Sequence, residues 1–449
     1  MIPTRLPLPR LTTPYYLRRL NPWPVPHYPA TLLGRRSTHS PRAPLPSAAT
    51  SSVLSAAAAA LSLSSLRLPR TLVRPMADTS ATPAHHNPKG GFINPWPSHQ
   101  HFGFFSVLMA MVKDWNIRTS LFLPDEKTMI PVLPMATAQL TRPDPTQLQL
   151  TWLGHASFLL QANGLNILFD PVFSERCSFV QFAGPKRVRP TPCKVEDLPP
   201  IDLVVISHNH YDHMDVNTIR SLGPKPVYCV PLGNKAWLED LGVTNIREMD
   251  WWDEADLQLG VAADTTSPLH GVKVVCTPCQ HFTGRSLTDR YRTLWASFCL
   301  LFPNGQRFYF AGDTGYRTVR DRAHELTLDT AEDTTPVCPA FREIGERYGP
   351  FDLSCIPIGA YSPRWVFSPV HCSPEDAVRL HEDVRSKKSV GMHWGTFILT
   401  DEPLTEPPQR LAKALAQRGH TAADFCVMDI GAMLTVPAST TEATAPAPA

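Results

Sequence analysis

The chain has 449 residues, 43% of them hydrophobic and 18% charged, which is enough apolar material for a sizeable core. Its formal net charge of +2 conceals a split: residues 1–75 hold ten arginines and no acidic residue, leaving 32 Lys and Arg against 40 Asp and Glu in the rest. An acidic body excludes nucleic acid as its main partner, because a phosphate backbone needs a positive surface.

Residues 1–75 are rich in Arg, Ser, Pro and Ala, the composition of a transit peptide, so mitochondrial delivery is expected. Met76 offers a second start, which would give a cytoplasmic form. Residues 76–146 read as an adaptor region. It carries Asn94-Pro95-Trp96-Pro97 and an apolar run, FGFFSVLMAMVKDW over 102–115, expected to pack on the core or to touch a membrane.

The catalytic body is expected over 147–433. Leu148 to Leu160 and Leu165 to Phe169 read as a strand pair across Asn163-Gly164, two residues that tolerate positive φ. The second strand ends at Asp170-Pro171, which suits a turn or a carboxylate that orients a metal ligand. Ile201 to Ile206 is a run of aliphatic residues that reads as a buried strand, and it runs straight into SHNHYDH. Three histidines and an aspartate within six residues, His208, His210, Asp212 and His213, form a poor core and a good metal cradle.

Further strands end on the same kind of residue. Val272 to Thr277 leads to His281, a hairpin of 294–302 and 307–310 leads to Asp313, and Lys388 to Met392 leads to His393. Polar residues gathered at strand ends from distant parts of a chain are how such folds assemble a site. Together the seven suffice for two ions. The ten cysteines begin at Cys177 without a secreted framework and read as reduced thiols, Cys276 and Cys279 included. Residues 317–339 read as a charged surface loop, Ser373-Pro374-Glu375 as a capped helix start, and 434–449 as a disordered tail.

The ordered set H-x-H-x-D-H, His, Asp, His resembles the metallo-β-lactamase superfamily. The strings NPWP, TWLGHASFLL, SHNHYDHMD, FAGDTGY, IPIGAYSPRW and HWGTF resemble one branch, the N-acylphosphatidylethanolamine-hydrolysing phospholipase D family. The resemblance covers residues 90–433. It implies an α/β fold, the αβ/βα four-layer sandwich with two central sheets, here behind a disordered N-terminal leader.

It also implies two zinc ions, one on His208, His210 and His281, the other on Asp212, His213 and His393, bridged by Asp313. Asp170 would orient a ligand, and Tyr211 and His371 would meet the substrate phosphate. The implied reaction is attack of metal-bridged hydroxide on phosphorus, giving an N-acylethanolamine and phosphatidic acid. The implied partners are a phospholipid substrate and a membrane surface, with a homodimer left open. Two readings compete: a lactonase or soluble phosphodiesterase on the same fold, and a non-catalytic, membrane-tethered binding protein.

Overall fold

The computed structural model describes residues 82–100, 130–135, 140, 144–257, 271–286, 288–328 and 333–437. The expected leader, the 102–115 run and everything beyond Pro437 lie outside them.

Fourteen described strands make two seven-stranded sheets. The first half of the chain supplies β1 (Gln147–Gly154), β2 (Ser157–Ala162), β3 (Leu165–Phe169), β4 (Leu203–Val205), β5 (Val227–Pro231) and β6 (Ile246–Met249). They lie in chain order, antiparallel from β1 to β3 and parallel from β3 to β6. The change follows from the connections. Asn163-Gly164, at φ 52° and 80°, closes a two-residue hairpin between β2 and β3. The later strands are joined by longer crossovers containing α1 (Val216–Leu222) and α2 (Lys235–Asp240).

The second half repeats the scheme with β7 (Glu254–Leu257), β8 (Val272–Thr277), β9 (Ser297–Leu301) and β10 (Arg307–Phe310), all antiparallel. Parallel strands β11 (Leu353–Pro357), β12 (Ser389–Met392) and β13 (Phe425–Cys426) complete that sheet. Its helices are α3 (Arg322–Thr327), α4 (Ala340–Tyr348), α5 (Arg364–Phe367), α6 (Pro374–Asp383) and α7 (Glu406–Gln417). Ser373 caps α6 by accepting from the Asp376 amide, with Pro374 in the first turn.

The sheets face each other through their period-two apolar rows. Leu150, Trp152, Phe158, Leu160, Ile167 and Phe169 from one meet Val274, Phe298, Leu300, Phe308 and Phe310 from the other. Phe169 lies 4.8 Å from Phe310 and 5.1 Å from Phe308, ring centre to ring centre. The opposite residues of the first sheet, among them Leu159, Leu168 and Val204, pack outward on Ile219 of α1 and Leu238 of α2. Helix, sheet, sheet and helix thus form the four expected layers.

Three expectations change. The tail does not begin at 434, because β14 (Met433–Pro437) pairs antiparallel with β1 and completes the first sheet. A strand edge with open hydrogen-bonding groups outweighs the low-complexity composition there. Residues 317–339 are not simply a surface loop: Arg317, Val319 and Cys338 are buried, while residues around α3 and Thr334, Pro336 and Pro339 are exposed. The strand before Asn304-Gly305 is shorter than expected, since Leu294 to Ala296 are buried but lie outside β9.

Candidate metal centre

Each half of the fold ends its strands on the same rim, and the predicted ligands collect there. His208, His210, Asp212 and His213 follow β4; Asp313 follows β10 and His393 follows β12. His281 lies four residues past β8, where Gln280 bridges Gly315 and fixes its height. Asp313 comes close to that loop because Gly312 has φ 58°, and a Cβ there would lie 2.7 Å from the Ser207 side chain.

Two groups of ligand atoms result. His208 Nε2 lies 2.9 Å from His210 Nδ1, which lies 3.3 Å from His281 Nε2. Separately, Asp212 Oδ2 lies 3.5 Å from the Nε2 atoms of both His213 and His393. Asp313 Oδ2 stands between the groups, 3.1 Å from His213 and His393, 3.7 Å from His281 and 3.9 Å from His208.

The hydrogen bonds behind the ligands aim them. His281 Nδ1 donates to the Val370 carbonyl at 2.8 Å, so its Nε2 faces the site with a lone pair. His213 Nδ1 meets Asp170 Oδ2 at 2.7 Å, and Asp170 also accepts from the Ser207 amide and hydroxyl at 2.7 and 2.6 Å. Asp170 is fully buried, and its place is that of a carboxylate holding an imidazole in one orientation.

Electrostatics sort the same residues into two kinds. Burial lowers the pKa of His155 to about 3 and of His210 and His371 to about 4, with His208 and His281 also well below 6.5. Such imidazoles are neutral at pH 7 and offer lone pairs. His213 and His393 move the other way despite burial, because Asp313 and Asp212 face them; His393 rises to about 9. Burial pushes Asp212 and Asp313 up, but the surrounding histidines outweigh it and hold both well below the usual carboxylate range. The pair therefore draws positive charge onto its neighbours, a role a cation fills.

Orphaned buried atoms supply the fit test for metal. His213 Nε2, both nitrogens of His393 and Asp313 Oδ1 are buried with no hydrogen-bond partner. Leaving such atoms unsatisfied is costly, and the Nε2 atoms of His213 and His393 themselves face Asp212 and Asp313, while Asp313 Oδ2 stands between the groups. The residues present fit two cations.

Residues 165–394 match the beta-lactamase superfamily domain. The chain is 37% identical over 291 residues to N-acyl-phosphatidylethanolamine-hydrolyzing phospholipase D 1 of Caenorhabditis elegans, covering 63% of this chain and 74% of that protein. The chain belongs to this phospholipase D family of the metallo-β-lactamase superfamily. An uncharacterized protein of Mycobacterium tuberculosis is 39% identical over 298 residues, 65% of this chain and 70% of its own. The mitochondrial N-acyl-phosphatidylethanolamine-hydrolyzing phospholipase D of Saccharomyces cerevisiae is 31% identical over 279 residues, 62% of this chain and 53% of its own. Membership makes the protein a metal-dependent hydrolase.

In this phospholipase D family member, His371 sits at the rim, its buried Nδ1 4.0 Å from Asp313 Oδ2 and without a hydrogen-bond partner of its own. Tyr211 is not among the ligand groups. Its hydroxyl donates to the Arg285 carbonyl at 2.8 Å, and its ring lies under the Arg285 guanidinium at 3.9 Å, so the hydroxyl faces away from free duty at a phosphate. Arg285 in turn donates to the Asn209 and Met214 carbonyls, clamping both ends of the ligand loop.

Sequence reasoning missed His155. It lies in the β1–β2 turn at φ 55°, fully buried, and its Nε2 is 2.9 Å from Asp212 Oδ2. The signal was present, since it too is a histidine at the end of a buried strand, inside TWLGHASFLL. Also missed was the reach of the NPWP arm. Asn94 donates to the His281 carbonyl at 2.8 Å and Ser98 to Gln280 at 2.6 Å, so residues 82–100 support the site directly. Cys276 and Cys279 are buried free thiols whose pKa values burial pushes well up, which suits packing and not redox exchange.

Proposed function

We propose that the protein is a phospholipase D-type phosphodiesterase using two zinc ions, cleaving N-acylphosphatidylethanolamine to N-acylethanolamine and phosphatidic acid. The observation that carries this reading is the pair of ligand groups, His208, His210 and His281 in one and Asp212, His213 and His393 beside His155 in the other, with Asp313 Oδ2 3.1 to 3.9 Å from histidines of both, in a chain whose relatives bear that activity in their names. His208, His210 and His281 would hold one ion, Asp212, His213 and His393 the other, and Asp313 would touch both. Bound, the pair supplies Lewis acidity towards phosphate oxygens and makes a nearby water acidic near neutral pH.

The chain's own residues do the rest. The buried, neutral histidines present lone pairs without a proton to displace, and Asp212 and Asp313 offset part of the ionic charge. Asp170 and His155 hold His213 and Asp212 in line. His371, neutral from burial, orients a phosphate oxygen or the departing group by hydrogen bond. Tyr211 joins it only if its hydroxyl leaves the Arg285 carbonyl. Delivery to mitochondria follows from the leader composition and agrees with the printed name of the yeast relative. Among the described residues no helix is long and apolar enough to cross a membrane.

Two measurements test this. Purified protein should carry about two zinc ions by elemental analysis; fewer than about one per chain would sink the two-ion arrangement. Incubation with N-acylated phosphatidylethanolamine, plain phospholipids and lactones should give turnover of the first. Hydrolysis of a lactone alone would overturn the lipid assignment.

A further inference from the structure

Four large apolar side chains are exposed among the described residues, and one of them, Phe179, has its ring 6.4 Å from the Tyr211 ring of the metal loop; a second, Phe182, follows three residues later in the same segment. Phe179 is 78% exposed and Phe182 84%. An exposed phenylalanine is ordinary when it is mobile and isolated. This pair stands on a built structure.

Residues 174–189 fold back on themselves as a short ribbon held by one isolated bridge and two backbone hydrogen bonds, without regular strands. Arg176 and Lys186 pair antiparallel, the Arg187 amide donates to the Glu175 carbonyl at 2.9 Å, and the Cys177 amide to the Pro185 carbonyl at 3.2 Å. At the tip polar groups bond to one another. The Gln181 side chain accepts from the Arg176 amide at 3.2 Å and donates to its carbonyl at 3.0 Å, and the Arg176 guanidinium donates to the Gly184 carbonyl. Gly184, at φ 99°, lies so close to Ser178 that a Cβ would come within 2.6 Å of it. The base is fixed by buried Arg187, which donates to the Val172 and Ser174 carbonyls at 2.7 and 3.1 Å and lies over the Phe397 ring. Cys177 packs there with Val172 and Phe397.

We propose that this ribbon is a lipid-contacting hairpin that seats Phe179 and Phe182 in the interfacial layer of a bilayer beside the metal centre. Backbone groups entering an apolar phase must be satisfied internally, and several of those at this tip are bonded to Gln181, Arg176 and one another. Apart from the buried Arg187, the segment carries Arg176, Lys186 and Arg189 against Glu175, which pairs with Lys186 at 3.6 Å; the remaining positive charge on an otherwise acidic body suits anionic lipid headgroups. A second copy of the chain would set two such basic ribbons against each other. The inference rests on the lipid-substrate reading and names the surface that presents the lipid.

The test uses the full, zinc-loaded chain and vesicles of phosphatidylcholine and phosphatidylserine that contain no N-acylated lipid. Flotation should show Phe182→Ser weakening vesicle binding on the order of tenfold, and Phe179→Ser/Phe182→Ser weakening it further. Phe182→Leu should bind nearly as well as the parent, and unchanged melting temperatures would show all variants folded. Unaltered binding by the folded double variant overturns the proposal. So does sedimentation velocity showing that the parent self-associates and the double variant does not, since the tip would then be a protein contact. Turnover of N-acylphosphatidylethanolamine in detergent is read separately: its absence with tip-dependent vesicle binding intact would refute the reaction and leave the hairpin standing.

Discussion

Asp170→Asn isolates what one buried carboxylate does for the metal centre. Asp170 has φ 38°, a conformation asparagine tolerates, so the backbone should stay where it is. The side chain accepts three hydrogen bonds: from the Ser207 amide on one oxygen, and from the Ser207 hydroxyl and His213 Nδ1 on the other. An asparagine offers an acceptor on one side only. Whichever way it turns, either the Ser207 amide or His213 faces an NH2 group, and one charge-assisted buried hydrogen bond is lost. Such a loss costs about 1.5–3 kcal/mol. That is roughly 10- to 150-fold, and it falls on the group that fixes His213 with Nε2 towards Asp212 and Asp313. Zinc affinity should therefore drop about 10- to 100-fold, the usual effect of removing a carboxylate behind a ligand histidine. Competition with a chromophoric chelator at pH 7 measures this directly, and circular dichroism of the metal-free protein shows whether the fold survives. Zinc affinity within twofold of the parent would refute the orienting role.

Asp313→Asn should abolish turnover and lower bound zinc towards one ion per chain by elemental analysis, because Asp313 Oδ2 is the atom both ligand groups approach. His155→Ala should weaken the second ion about tenfold and spare the first, since the His155 side chain bonds Asp212, and the one other predicted ligand it meets by hydrogen bond, His393 through its carbonyl, belongs to the same group; stepwise zinc titration separates the two. Asp376→Ala should destabilise the fold by about 3–5 kcal/mol in urea titration, because it leaves two buried guanidiniums, Arg317 at 2.8 Å and Arg364 at 2.6 Å, without their shared carboxylate. Burial pushes Glu375 up, but the two-pronged bond to Arg410 at 2.9 Å outweighs it and holds the carboxyl below the usual range. A lowered folded pKa gives stability that is complete above the unfolded value of about 4.3 and fades as pH falls through the folded one. Arg410→Ala should accordingly flatten the loss of stability below about pH 4.5, as read from denaturation midpoints across pH.

The strands that were legible in the sequence are those whose apolar runs are bounded by strong turn residues. Leu165 to Phe169 lies between Asn163-Gly164 and Asp170-Pro171, and Arg307 to Phe310 between Asn304-Gly305 and Ala311-Gly312; both are strands over those residues. Side-chain period and turn chemistry are local, so they survive in a one-dimensional reading. The ligand residues were legible for a related reason: histidine and aspartate directly after a buried strand are conspicuous against its apolar composition. His155 carried the same mark, yet what it does is settled by Asp212, fifty-seven positions away.

What only the tertiary structure decided is what meets across the sheets. No periodicity announces that His85 and His86 both reach Asp250 at 2.7 Å, or that Trp96 stacks on Trp251, which together bind the NPWP arm to the body. The sequence by itself determined the elements bounded by strong turn residues, the kinds of ligand and the family; composition at residues 434–437 pointed away from order, and the open edge of β1 overruled it. Local propensity sets where a strand can form, while partner edges and long-range packing select which segments become strands and which imidazoles face one another.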